Sequence, residues 1–157
     1  MQLTLAENVV KRLKDAGMTV TTVESCTGGL LCGTLVDVGG VSDVLKQAYV
    51  TYCDEAKHRL VGVKKETLEK YTAVSEETAK EMARGGAKAA GADVCLSVTG
   101  IAGPDGGTEE KPVGLVYIGC CVKDTTVVRK YIFSGDRRQV REQAVISAMK
   151  LLEEQLG

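Results

Sequence analysis

Apolar and polar positions along this chain follow two rhythms, one spaced for helices and one for strands. Leu5, Val9 and Leu13, with neighbouring Val10, form one stripe over residues 3 to 15, which predicts an amphipathic helix ended by Gly17. Met18 to Val23 is β-prone and reads as a first strand. A polar, glycine-containing turn follows, and residues 28 to 38 then predict a mostly apolar helix stopped by Gly39-Gly40. Residues 46 to 53 read as a second strand. Asp54 to Leu60 reads as a short helical turn ending near Gly62, and Lys64 to Lys70 as a small helix. Ser75-Glu76-Glu77 opens a longer helix with a capping hydroxyl and acids near its positive end, running to about Ala90 before Gly91. The small residues Ala83, Gly86, Ala87 and Ala90 on that helix imply close packing on a sheet. Val94 to Thr99 predicts a third strand, and residues 100 to 112 a glycine-rich loop. Val113 to Val122 and Thr126 to Phe133 predict two strands joined by Lys123-Asp124-Thr125, too short a link for anything but an antiparallel hairpin. The last helix starts near Asp136 and reaches about Gln155, with Val140, Ala144, Ser147 and Leu151 on or near one face.

Helices separate most of these strands. The order therefore predicts one α/β domain over residues 1 to 157, with a mostly parallel mixed sheet of about five strands and helices on both faces. The terminal hairpin makes one strand antiparallel. In such sheets, sites form outside the carboxyl ends of the parallel strands. Those ends carry Ser25, Tyr52 to Lys57, and Thr99 to Gly103, so three separate segments are expected on one rim.

Composition narrows the function. Hydrophobic residues are 44% and charged residues 26%, as in a globular domain with a respectable core. With one Phe and no Trp, that core must be aliphatic. The net charge of −1 and the lack of a basic block give no attraction to nucleic acid or to an anionic membrane. No apolar run reaches the roughly 18 residues of a membrane span, and the N-terminus lacks a signal-peptide pattern, so a cytoplasmic location is expected. The six cysteines form no Cys-x-x-Cys pair, and His58 has no partner at zinc-ligand spacing. Free buried thiols and no metal are expected.

Three motifs carry candidate chemistry. Val23 to Leu30 places Ser25 at a strand–turn–helix junction, where Ser25 is either a nucleophile or a helix cap. The amides of Thr27, Gly28 and Gly29 are candidate donors to an oxyanion or a bound anion. Lys57 is the better candidate base, because a lysine buried at a site loses its charge readily. Tyr52 either bridges Ser25 and Lys57 or positions substrate. His58 reads as a surface residue, and Ser147 to Lys150, a Ser-x-x-Lys match inside the last helix, as coincidence. Thr99 to Gly114 holds five glycines and two prolines in sixteen residues, and Thr99, Gly100, Ala102 and Gly103 follow a strand as a nest of amides would. Arg137 and Arg141, one helical turn apart, either clamp a phosphate or carboxylate or pair with Asp136 and Glu142.

Together, Glu24 to Gly29, Tyr52 with Glu55-Ala56-Lys57 and Leu60 to Val63, and Thr99 to Gly114 resemble the C-terminal domain of the competence/damage-inducible CinA family, which includes PncC-type nicotinamide-nucleotide amidases. Ala73-Val74-Ser75 and Gly135-Asp136-Arg137 with Arg141 also fit, and the resemblance covers nearly the whole chain. Where the family often has Tyr-Ser-Asn, this chain has Tyr52-Cys53-Asp54. The resemblance implies a three-layer α/β/α sandwich. It also implies hydrolysis of the carboxamide of nicotinamide mononucleotide to nicotinic acid mononucleotide and ammonia, with no metal or organic cofactor. Some relatives carry an N-terminal nucleotide-pyrophosphatase domain. This chain begins at the amidase domain, so that activity is expected to be absent.

The expected mechanism has Ser25 attack the carboxamide carbon while Lys57, aided by Tyr52, takes its proton. Backbone donors of the Ser25 turn or the Gly100 loop hold the oxyanion, and glycine-turn amides with Arg141 hold the 5′-phosphate. The competing classes are a non-catalytic nucleotide-binding module and a nucleic-acid-binding competence factor, the latter opposed by balanced charge and scarce aromatics. The strand Thr126 to Phe133 reads as an exposed edge that invites pairing with a second copy, so a homodimer is expected.

Overall fold

Alternation along the strands and the spacing of the helical stripes divide the apolar residues between two faces of one sheet. The computed structural model describes residues 2–157. Its elements are α1 (Gln2–Ala16), β1 (Val20–Glu24), α2 (Leu30–Val36), β2 (Tyr49–Val50), α3 (Asp54–Val61), α4 (Lys65–Tyr71), α5 (Glu76–Ala90), β3 (Val94–Gly100), β4 (Leu115–Val122), β5 (Thr125–Ile132) and α6 (Arg137–Leu156). A short 3-10 turn at Val41–Asp43 follows α2.

The sheet order is β2-β1-β3-β4-β5. β1 pairs in parallel with both β2 and β3. β4 runs antiparallel to β3 and to β5, so it is the single reversed strand. This is the mixed, mostly parallel sheet that the element order predicts. On one face, α1, α2 and α6 bury Leu5, Val9, Leu13, Leu31, Leu35 and Met149 against Val20, Leu96 and Ile118. On the other, Val61, Leu68, Met82 and Ala83 cover Val23, Cys95 and Cys121. Neighbouring residues such as Cys95 and Leu96 thus serve opposite layers, and the architecture is a three-layer α/β/α sandwich.

The small face of α5 does what its composition suggests. A side chain at Gly86 would collide with Val23 and Cys95 of the sheet, and one at Gly85 would overlap the Val61 carbonyl oxygen at the end of α3. The two glycines therefore let α5 sit tightly on the sheet and let α3 sit tightly on α5. α5 is capped by Ser75, whose hydroxyl accepts from the Thr78 amide. α6 begins with a full capping box between Asp136 and Gln139.

Two expectations are corrected. The second strand does not run from 46 to 53. Only Tyr49–Val50 joins the sheet, with an isolated bridge from Leu45 to Val20. Lys46, Gln47 and Ala48 lie exposed at the sheet's edge, where pairing would bury no apolar surface. The second helix is also shorter, starting at Leu30, because Gly28 and Gly29 adopt left-handed φ values of 57° and 102°. No described helix is long and apolar enough to cross a membrane.

Candidate active site

β1 and β3 are parallel neighbours, so the chain leaves both at the same end of the sheet. The turn after β1 and the loop after β3 therefore emerge side by side, and the Ser25 amide donates to the Val98 carbonyl at 2.9 Å. β2 flanks β1 on its other side, and the Thr51 amide donates to the Glu24 carbonyl at 2.8 Å. That bond delivers the chain into α3 beside the Ser25 turn.

Lys57 sits in the first turns of α3. Helical side chains lean back toward the helix N-terminus, which here faces the rim. Its Nζ donates to Ser25 Oγ at 3.0 Å and to the Thr51 carbonyl at 2.8 Å. Lys57 is 1% exposed and Ser25 9% exposed, so the pair is shielded from bulk water. Burial pushes the Lys57 pKa below the ordinary lysine value, while nearby Asp54, Cys53 and Cys26 act in the opposite direction. Among the described residues, no charged partner contacts the amine. Burial also pushes the adjacent Cys26 thiol up to about 12, so it stays protonated and is a poor nucleophile.

Ser25 does not cap α2. Glu24 does so from inside the protein. Its fully buried carboxylate accepts from the amides of Leu31 (2.8 Å) and Cys32 (2.9 Å) and from the Thr22 hydroxyl (3.0 Å). The positive end of α2 is thereby taken, and the Ser25 hydroxyl is left to Lys57.

A cavity of about 290 Å³ opens over this pair. Ser25, Lys57, Tyr52, Thr99, Gly100, Ala102 and Gly103 all line it, so seven residues expected at the site from sequence meet here. The Thr99 hydroxyl is engaged with the Ala73 carbonyl at 2.8 Å. The Tyr52 ring is exposed, and its hydroxyl accepts from Arg137 at 3.0 Å, with no hydrogen bond to Ser25 or Lys57. Tyr52 thus stands at the cavity's mouth, and Lys57 reaches Ser25 without a bridge.

Thr27, Gly28, Gly29 and Arg141 do not line the cavity. The Gly28 amide donates to the Ser25 carbonyl within the turn. The Arg141 guanidinium donates to the carbonyls of Cys26 (3.0 Å) and Thr27 (2.9 Å), so it braces the turn from behind. Its neighbour Arg137 lines the cavity and donates to the Gly103 carbonyl at 2.7 Å. Asp54, Val74 and Asp105 also line it without having been singled out as site residues. A wider groove of about 700 Å³ between α3 and α4 shares Asp54 with the cavity but contains neither Ser25 nor Lys57.

The amides of Ala102 and Gly103 donate to no acceptor among the described residues, whereas Ile101 donates to Leu115. The arrangement can therefore supply a hydroxyl, a shielded amine and peptide donors to one bound group. Among the described residues, no three His, Cys, Asp or Glu side chains gather in a way that could hold a metal ion.

Comparison with known proteins agrees with this architecture. The sequence profile of the CinA C-terminal domain matches residues 2–156. A competence-damage inducible protein of Clostridium novyi (strain NT) is 52% identical over 155 residues, covering 99% of this chain and 37% of that protein. A CinA-like protein of Kosmotoga olearia is 54% identical over 145 residues, covering 92% of this chain and 35% of that protein. The chain thus spans under two-fifths of the length of these relatives. Among solved structures, a CinA superfamily protein from Klebsiella pneumoniae 700603 superposes with a TM-score of 0.96 at 36% identity, covering 99% of this chain and 98% of that one. A competence/damage inducible protein from Agrobacterium tumefaciens gives 0.95 at 37% identity, covering 98% and 94%. The chain belongs to the CinA C-terminal domain family.

Proposed function

We propose that this cavity hydrolyses the carboxamide of nicotinamide mononucleotide, giving nicotinic acid mononucleotide and ammonia. The observation that carries the chemistry is the contact of 3.0 Å between Lys57 Nζ and Ser25 Oγ in a site where the lysine is 1% exposed. The substrate is the one implied by the motifs shared with nicotinamide-nucleotide amidases.

Neutral Lys57 accepts the Ser25 proton as Oγ attacks the carboxamide carbon, while the Thr51 carbonyl holds one amine hydrogen. Negative charge builds on the carboxamide oxygen and is met by peptide donors of the 102–103 segment. The carbon–nitrogen bond breaks as the Lys57 ammonium gives its proton to the departing amine, releasing ammonia. Water then attacks the acyl-enzyme and passes a proton to Lys57. When the carbon–Oγ bond breaks, that proton returns to Ser25. Arg137 is the cavity cation best placed to receive the phosphate.

Ammonia release from nicotinamide mononucleotide, measured for the unaltered chain and for Ser25→Ala, tests the reading. Loss of release in the variant supports it. Equal release in both eliminates Ser25 as the nucleophile, and tight nucleotide binding without release favours a non-catalytic module.

A further inference from the structure

The 71–74 segment joining α4 to α5 has an unusual hydrogen-bond pattern. Its four carbonyls all accept from side chains rather than from a neighbouring strand or helix. Lys111 Nζ donates to Tyr71 O at 2.9 Å and to Val74 O at 2.7 Å. The Thr72 carbonyl accepts from Ser75 and Thr78, and the Ala73 carbonyl from Thr99. Lys111 Nζ also donates to the Thr72 hydroxyl at 2.8 Å, so the ammonium spends all three hydrogens on this one segment. Thr72 has φ 69° and ψ 177°, a positive-φ conformation that a β-branched residue adopts only when its surroundings impose it. Ala73 and Val74, the next two residues, form part of the cavity wall, and their amides have no acceptor among the described residues.

We propose that Lys111 is a positioning residue for the active-site cavity: from the far end of the glycine-rich loop it straps the 71–74 segment into the wall that receives the substrate. The strap joins two walls. Gly100 to Gly103, Asp105 and Gly106 of its own loop line one side, and Ala73 and Val74 of the segment it grips line another. An ammonium is suited to this task, because charged donors bind carbonyls more strongly than neutral ones and three acceptors match its three hydrogens. The kinetic consequence rests on the amidase reading, whereas the geometric one does not.

The experiment compares the unaltered chain with Lys111→Met, Lys111→Gln and Lys111→Arg. Two quantities are read: the rate of tryptic cleavage after Lys70, which adjoins the strapped segment, and KM and kcat for nicotinamide mononucleotide. Lys111→Met should speed cleavage and raise KM by at least about tenfold while kcat stays within about threefold, since even one of the three charged hydrogen bonds lost is worth that much. Lys111→Arg should restore most of both, because its several donors reach the same carbonyls. The Gln variant keeps a shorter neutral donor and supplies a graded readout if the Met variant folds poorly. Cleavage that does not change across the series overturns the strap, and faster cleavage with an unchanged KM overturns its role in positioning substrate. If the unaltered chain releases no ammonia, the amidase reading falls alone, and the cleavage series decides the strap.

Discussion

Lys57 Nζ stands 3.0 Å from Ser25 Oγ with the Thr51 carbonyl as its other partner and no carboxylate in contact. An amine so placed is held by burial rather than by an ion pair, and burial favours its neutral form. In the proposed mechanism only that form takes the serine proton.

Activity should therefore rise with pH along a limb centred below the ordinary lysine value of 10.5. Between the lowered folded pKa and the unfolded one, the unfolded chain binds the extra proton. Stability from this group therefore rises with pH across that window and is lower beneath it. A kcat/KM profile checks the first statement. A limb centred at or above 10.5 would contradict it. Lys57→Met should cost about 10²–10⁴-fold in turnover with only a small change in Tm, because the relief of burying an amine offsets the hydrogen bonds to Ser25 and Thr51 that are lost.

Ser25→Ala and Glu24→Ala separate chemistry from structure. The Ser25 hydroxyl caps no helix, so its removal should abolish ammonia release and change stability by about 1 kcal/mol or less. Glu24 satisfies a buried amide, a half-buried amide and a buried hydroxyl, and each buried orphaned group costs about 1–3 kcal/mol. Glu24→Ala should thus lower stability by several times as much. Chemical denaturation of the two variants measures the contrast. Equal losses would return Ser25 to a structural role.

Arg137 and Arg141 should fail differently. Arg137→Gln removes a cavity cation and should raise KM about tenfold or more with little change in Tm. Arg141→Gln withdraws donors from the Cys26 and Thr27 carbonyls, so it should lower kcat and Tm together. Steady-state kinetics with thermal melts distinguish them, and a pure KM effect at Arg141 would move the phosphate to that residue.

Gly85→Ala should disturb the base from a distance. The new methyl would overlap the Val61 carbonyl and drive α3, which carries Lys57, off α5. The expected cost is about 1–3 kcal/mol of stability, with a loss of kcat larger than any change in KM. An unaltered kcat at lowered Tm would show that α3 yields without carrying Lys57 along.

Much of this was legible in one dimension, and the failures have physical causes. Ser25, Lys57 and the Thr99–Gly103 stretch could be found because each follows a strand, and parallel strands place such positions on one rim. β2 was overread because β-propensity says nothing about an edge that offers no surface to bury. From sequence the phosphate goes to Arg141, whereas Arg141 braces the Ser25 turn and Arg137 lines the cavity; residues one turn apart share a face, so spacing alone does not separate them. Only the position of the Ser25 turn decides which guanidinium it takes up. Glu24 belongs to the Ser25 motif, yet its task is to reach Leu31 and Cys32 across the turn. An acid directly before a glycine turn and a helix was the available signal. Lys111 gave no signal, because its three acceptors lie about forty positions earlier in the chain.

The internal anchoring of Glu24 bears on how ligand recognition is powered. The turn bearing Ser25 is anchored by a side chain of the protein itself, the Glu24 carboxylate, and not by an incoming anion. On the amidase reading, arrival of the nucleotide need not freeze that turn. Contact energy from the ribose and phosphate remains available to orient the amide for attack.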